Sequence, residues 1–386
     1  MVVTFGFTVL AGKVILGGGS LQDDNTDVWQ SFHQAAGGGT PKLVVLCSAE
    51  GSLAEAEDEY YNDTTDYWSW EHLFTYYGFD PVFIPIAVDN YQTAAYDQNL
   101  VSLVNSADAV WFNGGDQARH ARCLLKDDGT DTPLMTAVRS VLNNGGVVGG
   151  SSAGAAIMGE YTFGGGSSYG YLEANNMIAN NISDVYVGDP NNYDNGGYLP
   201  GFNFLSNIDA CVDTHVGGRG RIGRTIVAMR ELNNNIGIGV DENSTIIIDD
   251  NGYATVHGQY GVYIIDGTNA SYPSDTHFVA YGLKAYSLSA GDSIDFSTMN
   301  VTSSKSLITS PYYSSAYESR EIFRTDEVFK VMERLVDSSD SYVNPYSFDK
   351  KPRFYLEFSK NGDTKGYYDG KYTVDNLDLD LTWSQR

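Results

Sequence analysis

Between residues 13 and 148, five short runs of apolar, β-rich residues, at 13–16, 43–47, 82–86, 109–112 and 147–148, are bounded by glycine or polar residues and separated by segments of helical period. Runs this short and continuously apolar fit strands buried on both faces, as in a parallel sheet; a sheet with one wet face alternates polar and apolar positions. Parallel neighbours need a crossover, usually a helix. The clearest helix is expected over 133–143: Thr132 can cap it, Pro133 suits its first position, Leu134, Ala137, Val138, Val141 and Leu142 share a face, and Gly145 follows its end. The alternation predicts an α/β fold built on a doubly wound, mostly parallel sheet.

Beyond residue 235 strands take over, at 235–240, 245–248, 254–257 and 261–265. A Ser-rich stretch at 303–319 reads as a linker or long loop, followed by a helix near 324–335 and an aromatic, alternating tail over 353–383. A boundary is expected near residue 300, giving a main domain over 1–300 and a small extension of helix and strands over 301–386. No internal repeat is present.

Of the 386 residues, 42% are hydrophobic and 19% charged, which describes a folded, loop-rich chain. The formal net charge of −26 excludes nucleic acid as a partner, because phosphate binding needs a surplus of Lys and Arg. It suits a cationic or zwitterionic substrate, or simply keeps the protein soluble. No stretch approaches the roughly 18 apolar residues of a membrane span. Residues 2–10 lack the basic start of a secretory leader. The acidic composition leans toward secretion, with any leader outside this sequence and a cytoplasmic location as the alternative. Cys47, Cys123 and Cys211 are odd in number and far apart, so buried thiols are expected rather than a disulfide framework or metal site.

Chemistry concentrates in three places. In Val147-Val148-Gly149-Gly150-Ser151-Ser152-Ala153-Gly154, a strand runs through small residues into a helix. Gly150 and Gly154 relieve crowding around Ser152, so its hydroxyl can project from a strained turn as a nucleophile. The Ala153 N–H, at the start of the new helix, is a candidate oxyanion donor. In Asn113-Gly114-Gly115-Asp116-Gln117, paired glycines end a strand where α/β sheets bind ligands, and Gly115 or Asp116 is a candidate second donor.

The third place joins Asp213-Thr214-His215-Val216-Gly217-Gly218-Arg219-Gly220-Arg221 and Arg224 with Gly239-Val240-Asp241-Glu242-Asn243. A serine hydroxyl needs an imidazole to take its proton, and the imidazole needs a carboxylate to fix its tautomer. The other five of the six histidines, His120 among them, have no neighbouring motif and read as surface or packing residues. Arg219, Arg221 and Arg224, in a chain with 23 basic residues, can grip a substrate carboxylate or pair with the protein's own acids.

Taken together and in this order, these phrases resemble the cyanophycinases of serine peptidase family S51. The resemblance implies a flavodoxin-like domain related to class I glutamine amidotransferases, a homodimer, and a triad of Ser152, His215 and Glu242, with no metal or cofactor. It implies substrate contacts by Gln117, Asp213, Thr214, Arg219, Arg221 and Arg224. It further implies an exopeptidase releasing β-aspartyl-arginine dipeptides from cyanophycin, a poly-aspartate with arginine on each β-carboxyl. Thr214 departs from the family's Gln, which leaves open a peptidase for other aspartyl or isoaspartyl peptides. A non-catalytic binding protein on the same fold is the remaining alternative. The Gly-, Asn- and Tyr-rich stretch over 164–201 is a candidate lid or pocket wall.

Overall fold

The computed structural model describes residues 12–184 and 197–385; the opening segment 2–10 and the middle of the 164–201 stretch lie outside the described residues. Strands β1 (Lys13–Gly17), β2 (Lys42–Leu46), β3 (Asp80–Phe83), β4 (Ala109–Phe112) and β5 (Val147–Ser151) run parallel in the order β1-β5-β4-β2-β3. Its β3-β2-β4-β5 part repeats the strand order of flavodoxin-like sheets, with β1 beside β5.

Side chains alternate across this sheet, and both faces are apolar. Val14, Leu16, Val44, Leu46, Val110 and Phe112 pack with the helices Gln98–Asn105, Gln117–Leu124 and Pro133–Asn143. Ile15, Leu43, Val45 and Trp111 pack on the opposite face with Thr26–Ala35 and Trp70–Tyr76. Each such side chain contributes about 1.5–3 kcal/mol on burial, so both layers of helices are held by the strands' own pattern. The helix Pro133–Asn143 has the expected bounds, with the Thr132 side chain accepting from the Met135 N–H.

A small sheet of β6 (Tyr161–Phe163), β7 (Ile178–Ala179) and β8 (Gly197–Pro200) follows. Next come β9 (Ala210–Thr214), β10 (Ile236–Val240), β11 (Ser244–Asp249), β12 (Tyr253–Gly258), β13 (Val262–Asp266), β14 (Ala280–Leu288), β15 (Ser293–Asp295) and β16 (Asn300–Thr302). Four of them, β11, β12, β15 and β16, extend the first sheet antiparallel beyond β1. The others, β9, β10, β13 and β14, begin a second sheet completed by β17 (Ser306–Leu307), β18 (Tyr342–Val343), β19 (Arg353–Ser359), β20 (Lys365–Tyr368) and β21 (Tyr372–Ser384).

The α/β fold with a parallel, doubly wound sheet is thus present in β1–β5, and antiparallel strands continue beyond it. Past β10 the connections 241–243, 250–252 and 259–261 are too short for crossover helices, so the strands reverse or switch sheet. Packing also runs on across residue 300, where a boundary was expected. β14 pairs with β21 from Ala280↔Leu381 to Ser287↔Val374. The helix Glu327–Val336 buries Val328, Val331, Met332 and Leu335 in one apolar cluster with Tyr263, Ile265 and Leu283. No helix among the described residues is long and apolar enough to cross a membrane.

Candidate active site

β5 ends at Ser151, and the next residue turns the chain into the short helix Ala153–Ala156. Ser152 makes that turn with φ 54° and ψ −112°, a left-handed conformation costly for a residue with a side chain. The turn requires glycine on both sides: a methyl group at Gly150 would fall 2.5 Å from the Gly154 backbone, and one at Gly154 would fall 2.3 Å from the Phe112 carbonyl.

His215 and Glu242 come from the second sheet. β9 and β10 are parallel neighbours with Asp213 opposite Gly239 and Thr214 opposite Val240, so the residues just past their carboxyl ends emerge side by side. The Ser152 hydroxyl donates to His215 Nε2 at 2.7 Å, and His215 Nδ1–H donates to Glu242 Oε1 at 2.7 Å. The three side chains selected from the sequence therefore meet, at the seam between two sheets rather than along the edge of one. Burial lowers the His215 pKa below 6.5; the hydrogen bond to Glu242 opposes this, and nearby Arg219 and Arg221 reinforce it. The imidazole is consequently a neutral acceptor at neutral pH.

A feature absent from the sequence reading joins the two sheets. The carbonyls of Gly17, the last residue of β1, and of Gly18 and Gly19 just past it accept from the backbone N–H groups of Ser152, His215 and Asn243 at 2.9, 2.8 and 2.8 Å. Gly19 has φ +103°, and a methyl group on it would fall 2.2 Å from His215 Cε1. The available signal was the run of three glycines after a strand. The Asp241 carboxylate secures the loop beyond His215 by accepting from the Gly217 and Gly218 N–H groups at 2.9 and 3.2 Å.

The N–H of Ala153, at the amino end of its helix, has no acceptor among the described residues, and neither do those of Gly114 and Gly115. Gly114 lies against Ser152, since a methyl group on it would fall 3.5 Å from Ser152 Cβ. Asp116 differs from its expected role as an oxyanion donor. Its N–H is directed to the Ala49 carbonyl at 3.4 Å, and its carboxylate caps the helix Gln117–Leu124 through the Ala118 N–H.

Behind this loop lies a second serine–histidine contact. Ser48 Oγ and His120 Nδ1 are 2.8 Å apart, and His120 Nε2 is 3.1 Å from the Asn113 carbonyl. A carbonyl only accepts, so Nε2 carries the proton and Nδ1 accepts from Ser48. Both residues are fully buried, and burial pushes the His120 pKa down to about 4. Out of reach of substrate, the pair fixes the backbone immediately before Gly114.

The expected substrate residues divide into groups. Arg224 and Asp213 are buried and form a bidentate ion pair, Nε to Oδ2 at 2.7 Å and Nη2 to Oδ1 at 2.5 Å. Arg224 also donates to the Gly165 and Gly166 carbonyls and lies over the Phe163 ring. This pair is internal, the second of the two uses open to the arginines, whereas the resemblance implies substrate contact by both residues. Thr214 is buried too, and its carbonyl accepts from Arg221 Nη1 at 2.7 Å. Burial, chiefly, lowers the Arg221 pKa to about 10. The Gln117 amide donates to the Phe163 carbonyl. Arg219 alone of the three arginines presents an exposed side chain.

Cys47, Cys123 and Cys211 are buried free thiols. Among the described residues no cluster of three His, Cys, Asp or Glu side chains is arranged to hold a metal ion. The residues that converge can perform acyl transfer: a hydroxyl, a neutral base, a carboxylate behind it, and unengaged backbone donors beside it.

The family model of Peptidase family S51 matches residues 14–256. The chain is 27% identical over 286 residues to a cyanophycinase of Geminocystis herdmanii, covering 72% of this chain and 91% of the relative. A cyanophycinase of Synechococcus elongatus is 27% identical over 293 residues, 74% of this chain and 79% of its own. Among solved structures, a peptidase from an acI-B1 Actinobacterium superposes with a TM-score of 0.51 at 19% identity, covering 74% of this chain and 98% of its own.

Proposed function

The chain belongs to peptidase family S51 and is a serine-type peptidase, and from that premise we propose that it hydrolyses cyanophycin from a chain end, releasing β-aspartyl-arginine dipeptides. The observation that carries the reading is the unbroken relay of Ser152, His215 and Glu242, with both contacts at 2.7 Å.

In this mechanism Glu242 keeps the proton of His215 on Nδ1, leaving Nε2 free to accept. As Nε2 takes the hydroxyl proton, Ser152 Oγ bonds to the scissile carbonyl carbon. The oxyanion is met by the N–H groups of Ala153 and Gly115, with Gly114 adjacent. Collapse breaks the C–N bond, and His215 returns its proton to the departing amine. Water then attacks the ester with His215 again as base, releasing the acid and restoring the hydroxyl. Arg219, exposed beside the histidine loop, binds a substrate carboxylate, and Arg221 adds positive potential behind it. The Asp213–Arg224 pair holds that loop in place. The Gln117 amide anchors the Phe163 carbonyl.

Ser152→Ala should lower hydrolysis of purified cyanophycin by roughly 10⁶-fold while leaving the circular dichroism and melting curve unchanged. Retained dipeptide release, followed by product mass, would contradict the assignment. Thr214, with its departure from the Gln of cyanophycinases, favours a second reading, a peptidase for other aspartyl or isoaspartyl peptides. Rates on insoluble cyanophycin and on small aspartyl dipeptides separate the two. The homodimer implied by the resemblance belongs to the same reading and is measured by sedimentation.

A further inference from the structure

Residues after 300 reach the catalytic loop directly. The N–H of Asp326 donates to the Gly217 carbonyl at 2.9 Å, and the Thr325 hydroxyl donates to the Gly218 carbonyl at 3.1 Å. Gly220 lies so close to this segment that a methyl group on it would fall 2.0 Å from the Phe323 carbonyl oxygen. Three successive contacts thus tie the segment to the turn that leaves His215, and Gly218 in that turn borders the Glu242 carboxylate. The wall they create has a fixed position relative to the triad.

Between this wall and the peptidase core is a cleft of about 300 Å³, lined on the core side by Arg219 and Tyr169 and on the other by Glu321, Arg324, Phe348 and Asp349. Arg219 is exposed into it, and the Arg324 side chain is 69% exposed, paired to Glu321 and set above the Phe348 ring at 5.9 Å. Phe348 is itself 62% exposed, which leaves its ring open to a ligand. The lining therefore offers two guanidinium groups, two carboxylates and an aromatic face within one recess, and the backbone N–H of its Arg219 donates to the His215 carbonyl at 2.9 Å.

We propose that this cleft is a substrate subsite built by the residues after 300, which seats a further unit of an acidic peptide chain whose side chains end in guanidinium groups. Arg219 and Arg324 take carboxylates of that unit, Glu321 and Asp349 take its guanidinium, and Phe348 stacks on the guanidinium plane. The subsite makes the enzyme selective for length: a substrate of several units fills the cleft and a single unit does not. The proposal rests on the reading of Ser152 and His215 as the hydrolytic centre.

The test uses the full-length protein and two substrates, a single β-aspartyl-arginine unit on a chromogenic leaving group and an oligomer of several such units. Arg324→Ala and Phe348→Ala, both at exposed positions, are compared with wild type after each rate is scaled to phosphonate labelling of Ser152. The expected result is a fall of about tenfold in the oligomer-to-monomer ratio of kcat/KM, through KM on the oligomer. Arg324→Lys should restore part of the ratio; a purely structural defect would depress both substrates together. An unchanged ratio in both variants overturns the subsite and leaves the hydrolytic reading standing. A wild-type protein that is labelled yet cleaves neither substrate overturns the reading of cyanophycin as substrate, and the subsite with it, while leaving Ser152 a nucleophile.

Discussion

His215 does its work only when neutral, and its surroundings are arranged to keep it so. Burial is the largest influence lowering its pKa, and the positive charges of Arg219 and Arg221 act in the same direction, while the hydrogen bond to Glu242 raises it. Because the protonated form cannot accept from Ser152, kcat/KM should fall on the acid side as pH drops through a value below 6.5. Arg219→Ala removes one of the depressing charges. The acid limb of its pH profile should therefore move to higher pH, alongside whatever weaker binding the lost guanidinium causes. The position of the limb, read from kcat/KM against pH and from titration of the ring by NMR, separates these effects. A limb that stays in place or moves to lower pH would show that Arg219 does not act on the imidazole.

The strongest constraint on the triad is the glycine turn at the end of β1, whose carbonyls bind the backbones of Ser152, His215 and Asn243. Gly19→Ala places a methyl group 2.2 Å from His215 Cε1 at φ +103°, so the ring must leave its contact with Ser152. A displacement of about 1 Å in such a relay costs on the order of 10²-fold, and kcat should drop by at least that much while the protein stays folded. Equal kcat in the variant would remove the turn from the machinery. This element also marks how far the sequence could be read. Ser152 and His215 were legible because each lies in a glycine-rich phrase at the end of a strand, Glu242 through the family resemblance that the phrases carry together, and the strands of the first sheet because their apolar runs are local. The helix Pro133–Asn143 was legible to the residue, since cap, proline and apolar face all lie within its own segment. The glycine run was not recognised, because its role is a set of backbone contacts to residues more than a hundred positions away. The burial of Asp213 and Arg224 was equally hidden: a buried ion pair and a substrate clamp use the same two residue types.

The second sheet was the least legible part, and for a related reason. Pairing between β14 and β21 joins segments nearly a hundred residues apart, and neither strand's pattern names its partner. Read locally, the end of the chain looks like an appendage; packed, it is the outer half of a sheet whose other half delivers His215 and Glu242. Phe329 meets Tyr263 at 6.1 Å, and Leu379 lies opposite Leu283 in register. Tyr263, Ile265 and Leu283 are fully buried in the cluster that includes this segment. Exposing a handful of such side chains costs ~1.5–3 kcal/mol each, comparable in total to the ~5–15 kcal/mol net stability of a typical protein. It would also bare the hydrogen-bonding edge of β14, an invitation to aggregate. A protein ending at residue 300 should therefore be insoluble or melt without cooperativity, and should fail to label Ser152 with a phosphonate although all three triad residues remain in its sequence. A soluble 1–300 fragment with a cooperative melt and normal labelling would show that the first 300 residues fold without the strands that complete their sheet.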